Sequence, residues 1–265
     1  MDYTKKITIF TSKIGQNIQE ATQKTQTKGY APKFASPYEK PSYYFLEGYG
    51  RLNSISPTRH HTKTCCSCFS RYPKQVEEVK SRMSTKRNGP LKVLNIGVAA
   101  GQEPLTHINS AFELSQNSSK TISDFLDLKT VDIQICPPEL IPHDLEKLNP
   151  SVLNHLKNIY DSRSNKSFWG MPIENFAQKL LQANDKQDVI LFNNVIQHMV
   201  PESEEVLQKT FEELADLVNP KGIICAEIES YVCENPEVMQ RLELLKEILK
   251  SKNFTEISNG IFQKG

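Results

Sequence analysis

The stretch Gly97-Val98-Ala99-Ala100-Gly101-Gln102-Glu103-Pro104 carries small residues at the point where a short apolar run, Val93 to Ile96, gives way to a helical pattern. Residues with little or no side chain let a ligand approach the backbone, and glycine adopts dihedral angles that other residues resist. Asn95 before the turn and Gln102 and Glu103 after it bring polar groups to the same place. Asp132, followed by Ile133, ends the next β-branched run. A carboxylate there accepts two hydroxyl hydrogen bonds at once, as a vicinal diol requires, and Ile133 supplies a flat apolar contact. Asn193 and Asn194 end the nearly unbroken apolar run that begins at Asp188, and they offer amide donors and acceptors. His198, four residues later, is a side chain suited to moving a proton near neutral pH. Glu229, at the end of the following apolar run, is a second proton acceptor, and Tyr231 a weaker third. Each has a plainer reading beside the chemical one. Asp132 is also a turn residue, Asn193-Asn194 a strand stop, and His198 a surface residue opening a helix.

These residues need a scaffold that brings strand ends together. Tyr72 to Met83 has Val76, Val79 and Met83 at helical spacing, with Pro73 near its start. Asn88-Gly89-Pro90 breaks the chain, and Leu91 to Ile96 reads as the first strand. A helix carrying Leu105, Ile108, Phe112 and Leu114 follows, with Pro104 in its first turn. Thr121 to Leu128 either extends that helix or forms a turn of its own, and the second strand is expected over Thr130 to Ile135. Helical pieces flank Pro150, Lys166 to Gly170 is a third strand or edge, and Ile173 to Ala183 a helix. Asp188 to Asn194 reads as a buried parallel strand, Glu202 to Val218 as an amphipathic helix, and Gly222 to Ile228 as another strand after the turn Pro220-Lys221-Gly222. Pro236 to Ser251 is helical, and Ser258-Asn259-Gly260 joins Phe254–Ile257 to Ile261–Gln263 as a hairpin. Strands that alternate with helices imply an α/β fold: a Rossmann-like, doubly wound, mostly parallel sheet with a C-terminal hairpin. Residues 88–265 are assigned to it. Residues 1–87, rich in Thr, Lys, Gln, Ser, Pro and Tyr, are expected to form an irregular, partly helical accessory region, an arm or lid over the domain.

Composition narrows the partners. The 32 Lys and Arg against 31 Asp and Glu leave a net charge of +1, which argues against a nucleic-acid partner. No apolar run approaches the roughly 20 residues a membrane span needs, and Ile7-Thr8-Ile9-Phe10 is too brief for a signal-peptide core, so a cytoplasmic location is expected. The six cysteines are not spread as a disulfide framework would be. His60, His61, Cys65, Cys66 and Cys68 crowd together beside Arg59, Lys63 and Arg71. A structural zinc site usually needs a second Cys pair beyond a loop. No metal site is therefore assigned, and the segment reads as a loop whose basic residues steer an anionic acceptor.

S-adenosyl-L-methionine poses three binding problems: room for its methionine end, a partner for the ribose hydroxyls, and an apolar slot for adenine. The glycine turn answers the first and Asp132 the second. Ile133 with Phe168, Trp169 or Met171 answers the third, although Trp169, the only Trp, is equally a core residue. From Leu91 to Lys264 the chain resembles the class I S-adenosylmethionine-dependent methyltransferases, and within them the chemotaxis-receptor glutamate methyltransferases. Ala99-Ala100-Gly101-Gln102-Glu103-Pro104 is similar to that group's small residues followed by Gly-Glu-Glu-Pro. Asp132-Ile133 is similar to its Asp-Ile, Asn193-Asn194-Val195 to its Arg-Asn-Val, and Ile228-Glu229-Ser230 to its Ser-Glu-Ser. The resemblance implies a cofactor pocket lined by Gly97, Ala99, Gly101, Gln102, Asp132 and Asn194. The chain departs from the group at Gln102, Gln134, Asn193 and Leu105-Thr106, positions that bear on the acceptor. Methyl transfer to a small molecule or a protein side chain is thus expected. Two alternatives stand: a catalytically inactive methyltransferase-like binding module, and an NAD-dependent oxidoreductase, whose Gly-x-Gly-x-x-Gly spacing the turn does not meet.

Overall fold

The computed structural model describes residues 72–85, 88–98, 102–132, 149–161, 163–169, 171, 173–196, 199, 203–228 and 235–265. The accessory segment before Tyr72, with the His60–Cys68 cluster, lies outside them, as does the helical piece expected from Pro138 to Asn149, its last residue excepted. The chain runs α1 (Pro73–Ser84), β1 (Leu91–Ile96), α2 (Gln102–Gln116), α3 (Ile122–Phe125), β2 (Leu126–Asp132), α4 (Pro150–Tyr160), β3 (Ser167–Trp169), α5 (Ile173–Gln182), β4 (Gln187–Leu191), α6 (Glu204–Leu217), β5 (Val218–Cys225), α7 (Pro236–Ser251), β6 (Phe254–Ser258) and β7 (Ile261–Lys264).

One seven-stranded sheet has the order β3-β2-β1-β4-β5-β7-β6. β1 to β5 are parallel, and β7 enters antiparallel between β5 and β6. The fold is the Rossmann-like, mostly parallel sheet with a C-terminal hairpin that the sequence implies. Its strand order reverses between β1 and β4, the point outside whose carboxyl ends open α/β sheets bind ligands.

Alternating side chains split the core into two layers, as strands buried on both faces require. Leu91 and Val93 of β1, Val189 and Leu191 of β4, and Ile223 and Cys225 of β5 pack with residues of α1, α2 and α4 on one face. Leu94, Ile96, Ile190, Phe192 and Ile224 pack with α5, α6 and α7 on the other. Helix α1 belongs to the first layer: Val79 is inaccessible to solvent and Met83 nearly so. Burying a side chain of that size contributes about 1.5–3 kcal/mol, so α1 is tied to the sheet although it precedes the first strand.

Three strand boundaries differ from expectation, the fourth strand ending at Leu191 rather than Asn194. The second strand begins at Leu126 rather than Thr130 and is described as far as Asp132; the expected continuation through Ile135 lies outside the described residues. The Asp124 carboxylate accepts from the Thr121 N–H and hydroxyl at 2.7 Å each, which starts a one-turn helix; the strand follows it with no spacer. The fifth strand is Val218–Cys225 rather than Gly222 to Ile228, because Pro220-Lys221-Gly222 is taken into it. The register against β4 shifts between Gln187 and Val189, and Lys221 adopts φ 63°, so the expected turn is an irregularity within the ladder.

Candidate active site

Continuing the strand alternation past the apolar ends generates the site. In the ladder, Asn95 lies opposite Leu191, and Leu191 opposite Cys225. The next residues of the same parity are Gly97, Asn193 and Glu227. The three neighbouring strand ends therefore finish in a glycine, an amide and a carboxylate on the face shared with α1 and α2. Asp132 ends β2 with the same parity, one step beyond Val131, which pairs with Ile96.

Gly97 makes the turn with φ 73°, and its N–H donates to the Val131 carbonyl at 3.0 Å. A Cβ at this position would lie 2.7 Å from Val195 Cγ2, so the turn after β1 is pressed against the chain leaving β4. Glycine is required here by both backbone and contact. Asn194, in the opposing turn, takes φ 52°, a region that Asn tolerates better than most residues.

Five side chains, from α1, β1, α2 and the ends of β4 and β5, join around this turn. Asn193 Nδ2 donates to Gln75 Oε1 at 2.7 Å and to Glu103 Oε1 at 2.8 Å. Asn193 Oδ1 accepts from Gln75 Nε2 at 3.1 Å and from the Glu227 N–H at 2.8 Å. Gln75 Nε2 also donates to Glu227 Oε2 at 3.0 Å. Asn95 Nδ2 donates to Glu103 Oε2 at 2.6 Å. Asn193 and Gln75 thus form a reciprocal amide pair, both buried, that bridges two carboxylates. Next to it, Asn194 Nδ2 donates to the Tyr72 hydroxyl. Asn95 Oδ1 is buried with no hydrogen-bond partner among the described residues. An unmet buried acceptor costs about 1–3 kcal/mol, and this one lies two residues from the glycine turn.

The residues assigned from sequence divide as follows. Asn95, Gly97, Glu103, Asn193 and Asn194 come together. Asp132 is buried beside them, and the Met171 N–H donates to its carbonyl at 3.2 Å. Ala99, Gly101, Ile133, His198, Glu229, Tyr231 and the side chain of Gln102 lie outside the described residues. Trp169, paired in register with Asp132, sets its ring edge-on to Tyr160 of α4, 5.4 Å between centroids, and packs half-buried at the edge of the site. Phe168 packs against Phe176 of α5 on the opposite face. Gln75, Glu227 and Tyr72 are participants that the sequence reading did not assign. One left a signal in the strand parity: Glu227 follows Cys225 by two, as Asn193 follows Leu191. Gln75 left none, because it meets its partners 118 and 152 residues away.

Burial raises the Glu227 carboxyl above its ordinary value, while the Gln75 hydrogen bond and Lys74 pull it back. His107, on α2, is fully enclosed, and burial lowers its pKa to about 4. A second, polar groove opens at the other end of the sheet, among Asn88, Gly89, Lys92, Lys186, Asp188 and Asn219. It lies at the amino ends of the strands, away from the reversal point.

No family model matches the sequence, and no curated protein does. Among solved structures, a Streptococcus mutans protein provisionally classed as a SAM-dependent methyltransferase is similar over 70% of this chain and 41% of its own length, at 12% identity and TM-score 0.39. The N-methyltransferase NodS of Bradyrhizobium japonicum WM9 is similar over 74% and 94%, at 15% identity and TM-score 0.37. An O-methyltransferase family protein of Burkholderia thailandensis is similar over 84% and 69%, at 10% identity and TM-score 0.39. The chain thus spans less than half of the Streptococcus protein. At these scores the likeness carries no argument about activity, which rests on the site itself.

Proposed function

We propose that this chain binds S-adenosyl-L-methionine at the carboxyl ends of β1, β2 and β4 and transfers its methyl group to an acceptor. One observation carries the reading: the ladder register sets Asp132, a carboxylate residue, beside the left-handed Gly97 turn, at the reversal point of the sheet. The donor set fits the group. A carboxylate at Asp132 suits a ribose diol, Glu103 suits an ammonium, and the unmet Asn95 Oδ1 is an acceptor awaiting an N–H. The sulfonium supplies an activated methyl when bound. The protein's part is to hold the reactants in line and to accept any proton the acceptor sheds. Gly97 leaves room for the backbone to approach, Asp132 orients the nucleoside, and the Asn193–Gln75 pair fixes Glu103. His198 and Glu229 remain the proton acceptors read from the sequence.

The NAD alternative is less well supported. The antiparallel β7 between β5 and β6 departs from the 3-2-1-4-5-6 order of dinucleotide-binding sheets. The inactive-module alternative shares the pocket and differs only in turnover. Calorimetry with S-adenosylhomocysteine and with NAD tests the pocket, and transfer of labelled methyl tests turnover. S-adenosylhomocysteine is expected to bind and NAD not to, with Asp132→Ala weakening the former at least tenfold. Absence of binding, or indifference to Asp132→Ala, refutes the assignment. Binding without transfer to any acceptor pool leaves the inactive module.

A further inference from the structure

We infer that Glu227 is the acceptor-side residue of this site and that it receives the nitrogen of an amine. The inference rests on the methyl-transfer reading for its chemistry and on geometry for its residue. Glu227 lies two residues past β5, next to the turn at Asn194, whose N–H donates to the Glu227 carbonyl at 2.9 Å. Its own N–H is held by Asn193 Oδ1, and one carboxylate oxygen by Gln75. From behind, the hairpin turn fixes the strand: the Ala226 N–H donates to the Gly260 carbonyl at 2.8 Å, and Gly260, at φ 66°, is packed so closely that a Cβ would stand 3.3 Å from Glu227 Cα and Cβ. Three elements thus set the direction of one carboxylate. No ion pair among the described residues includes Glu227, and Oε2 is the oxygen that Gln75 occupies.

Lys74 acts on the Glu227 carboxyl without forming an ion pair, so the half-buried carboxylate has lost hydration without regaining it from a contacting opposite charge. A protonated amine restores that partner through a charge-assisted hydrogen bond. The same carboxylate is a poor match for an alcohol, which brings no charge and yields its proton too reluctantly. In the reaction, the R–NH3+ group gives one proton to the Glu227 carboxylate and becomes R–NH2. The nitrogen lone pair then forms the N–CH3 bond as the CH3–S bond breaks, and that bond's electron pair stays with sulfur. The product leaves as R–NH2–CH3+, and water takes the proton from the Glu227 carboxylic acid.

The test uses the full chain, 15N-labelled, titrated with benzylamine and separately with benzyl alcohol, each with and without saturating S-adenosylhomocysteine. Benzylamine is expected to shift the Glu227 and Asn194 amide resonances and benzyl alcohol not to. Glu227→Gln is expected to weaken benzylamine binding at least tenfold, and Glu227→Asp to weaken it less. Both variants should remain folded by urea melt, which separates a lost contact from a lost fold. Equal response to amine and alcohol, no response to the amine, or undiminished amine binding in Glu227→Gln overturns the inference. Failure of the wild-type chain to bind S-adenosylhomocysteine instead overturns the methyl-transfer reading, while the amine titration still decides the role of Glu227.

Discussion

Replacing Gly97 with Ala strains the turn in two separable ways. A non-glycine residue in the left-handed region costs about 1–2 kcal/mol. The added methyl also stands 2.7 Å from Val195 Cγ2, well inside contact distance. Valine is stiff about χ1, so relief must come from the backbone, at about 1–3 kcal/mol. The sum, about 2–5 kcal/mol, is a large share of the roughly 5–15 kcal/mol that stabilises a typical domain. With a urea slope of about 2–3 kcal/mol per molar, a loss of about 3 kcal/mol lowers the unfolding midpoint by about 1 M. Urea melts of Gly97→Ala, Val195→Ala and the double variant separate the contributions. Val195→Ala removes the atom in the way, so Gly97→Ala should cost only its backbone part in that background, a positive coupling of about 1–3 kcal/mol. An identical cost in both backgrounds refutes the contact. A midpoint unchanged by Gly97→Ala refutes the left-handed turn as well, and with it the close approach on which the cofactor assignment depends.

Other outcomes follow from residues already described. Gly222→Ala places a methyl 2.8 Å and 2.9 Å from the Asp188 and Asn219 carbonyl oxygens, backbone atoms that cannot swing aside, so its unfolding midpoint should fall further than that of Gly97→Ala. His107 titrates near 4 when folded and near 6.5 when unfolded, so the unfolded chain binds the extra proton between those values. Stability should therefore fall as pH drops from about 6.5 to about 4, by about 3 kcal/mol. In His107→Leu that part of the acid limb should flatten in urea melts taken across the range. Burial pushes the Cys225 thiol far above its ordinary value. Peptide mapping after iodoacetamide should find Cys225 unlabelled in native buffer and labelled in denaturant.

Much of the fold was legible because local signals and burial agreed. Pro73 opens α1, Pro236 opens α7 at the expected residue, and Ser258-Asn259-Gly260 turns the hairpin as read. The failures came where a local signal was right and its reach was misjudged. The helical reading of Thr121 to Leu128 hid the start of the second strand: Asp124 caps a single turn, and the strand begins at Leu126. Pro220-Lys221-Gly222 carries true turn chemistry, yet pairing with β4 absorbs it as an irregularity. At the site, the glycine turn, Asp132 and the paired asparagines were readable because each ends an apolar run. The bridge from Gln75 was not, since a buried amide in a helix has no periodicity that announces its partner. That bridge also sets α1 against the boundary drawn at residue 88: the helix assigned to the accessory region supplies both core and site.

The two outermost strands have a bearing on association. β3 offers a neighbouring chain only three residues of backbone, and β6 is interrupted by a register shift between Glu256 and Ser258. Glu256 folds its carboxylate back onto the Gly260 N–H at 3.0 Å, which keeps a charge on that margin. Short length, an offset and a charge are the means by which open sheets avoid pairing edge to edge. Ile257, the exposed large apolar side chain among the described residues, sits within this guarded margin. Exchanging Glu256 for a β-branched apolar residue would create a flat adhesive border there and favour self-association of the folded protein.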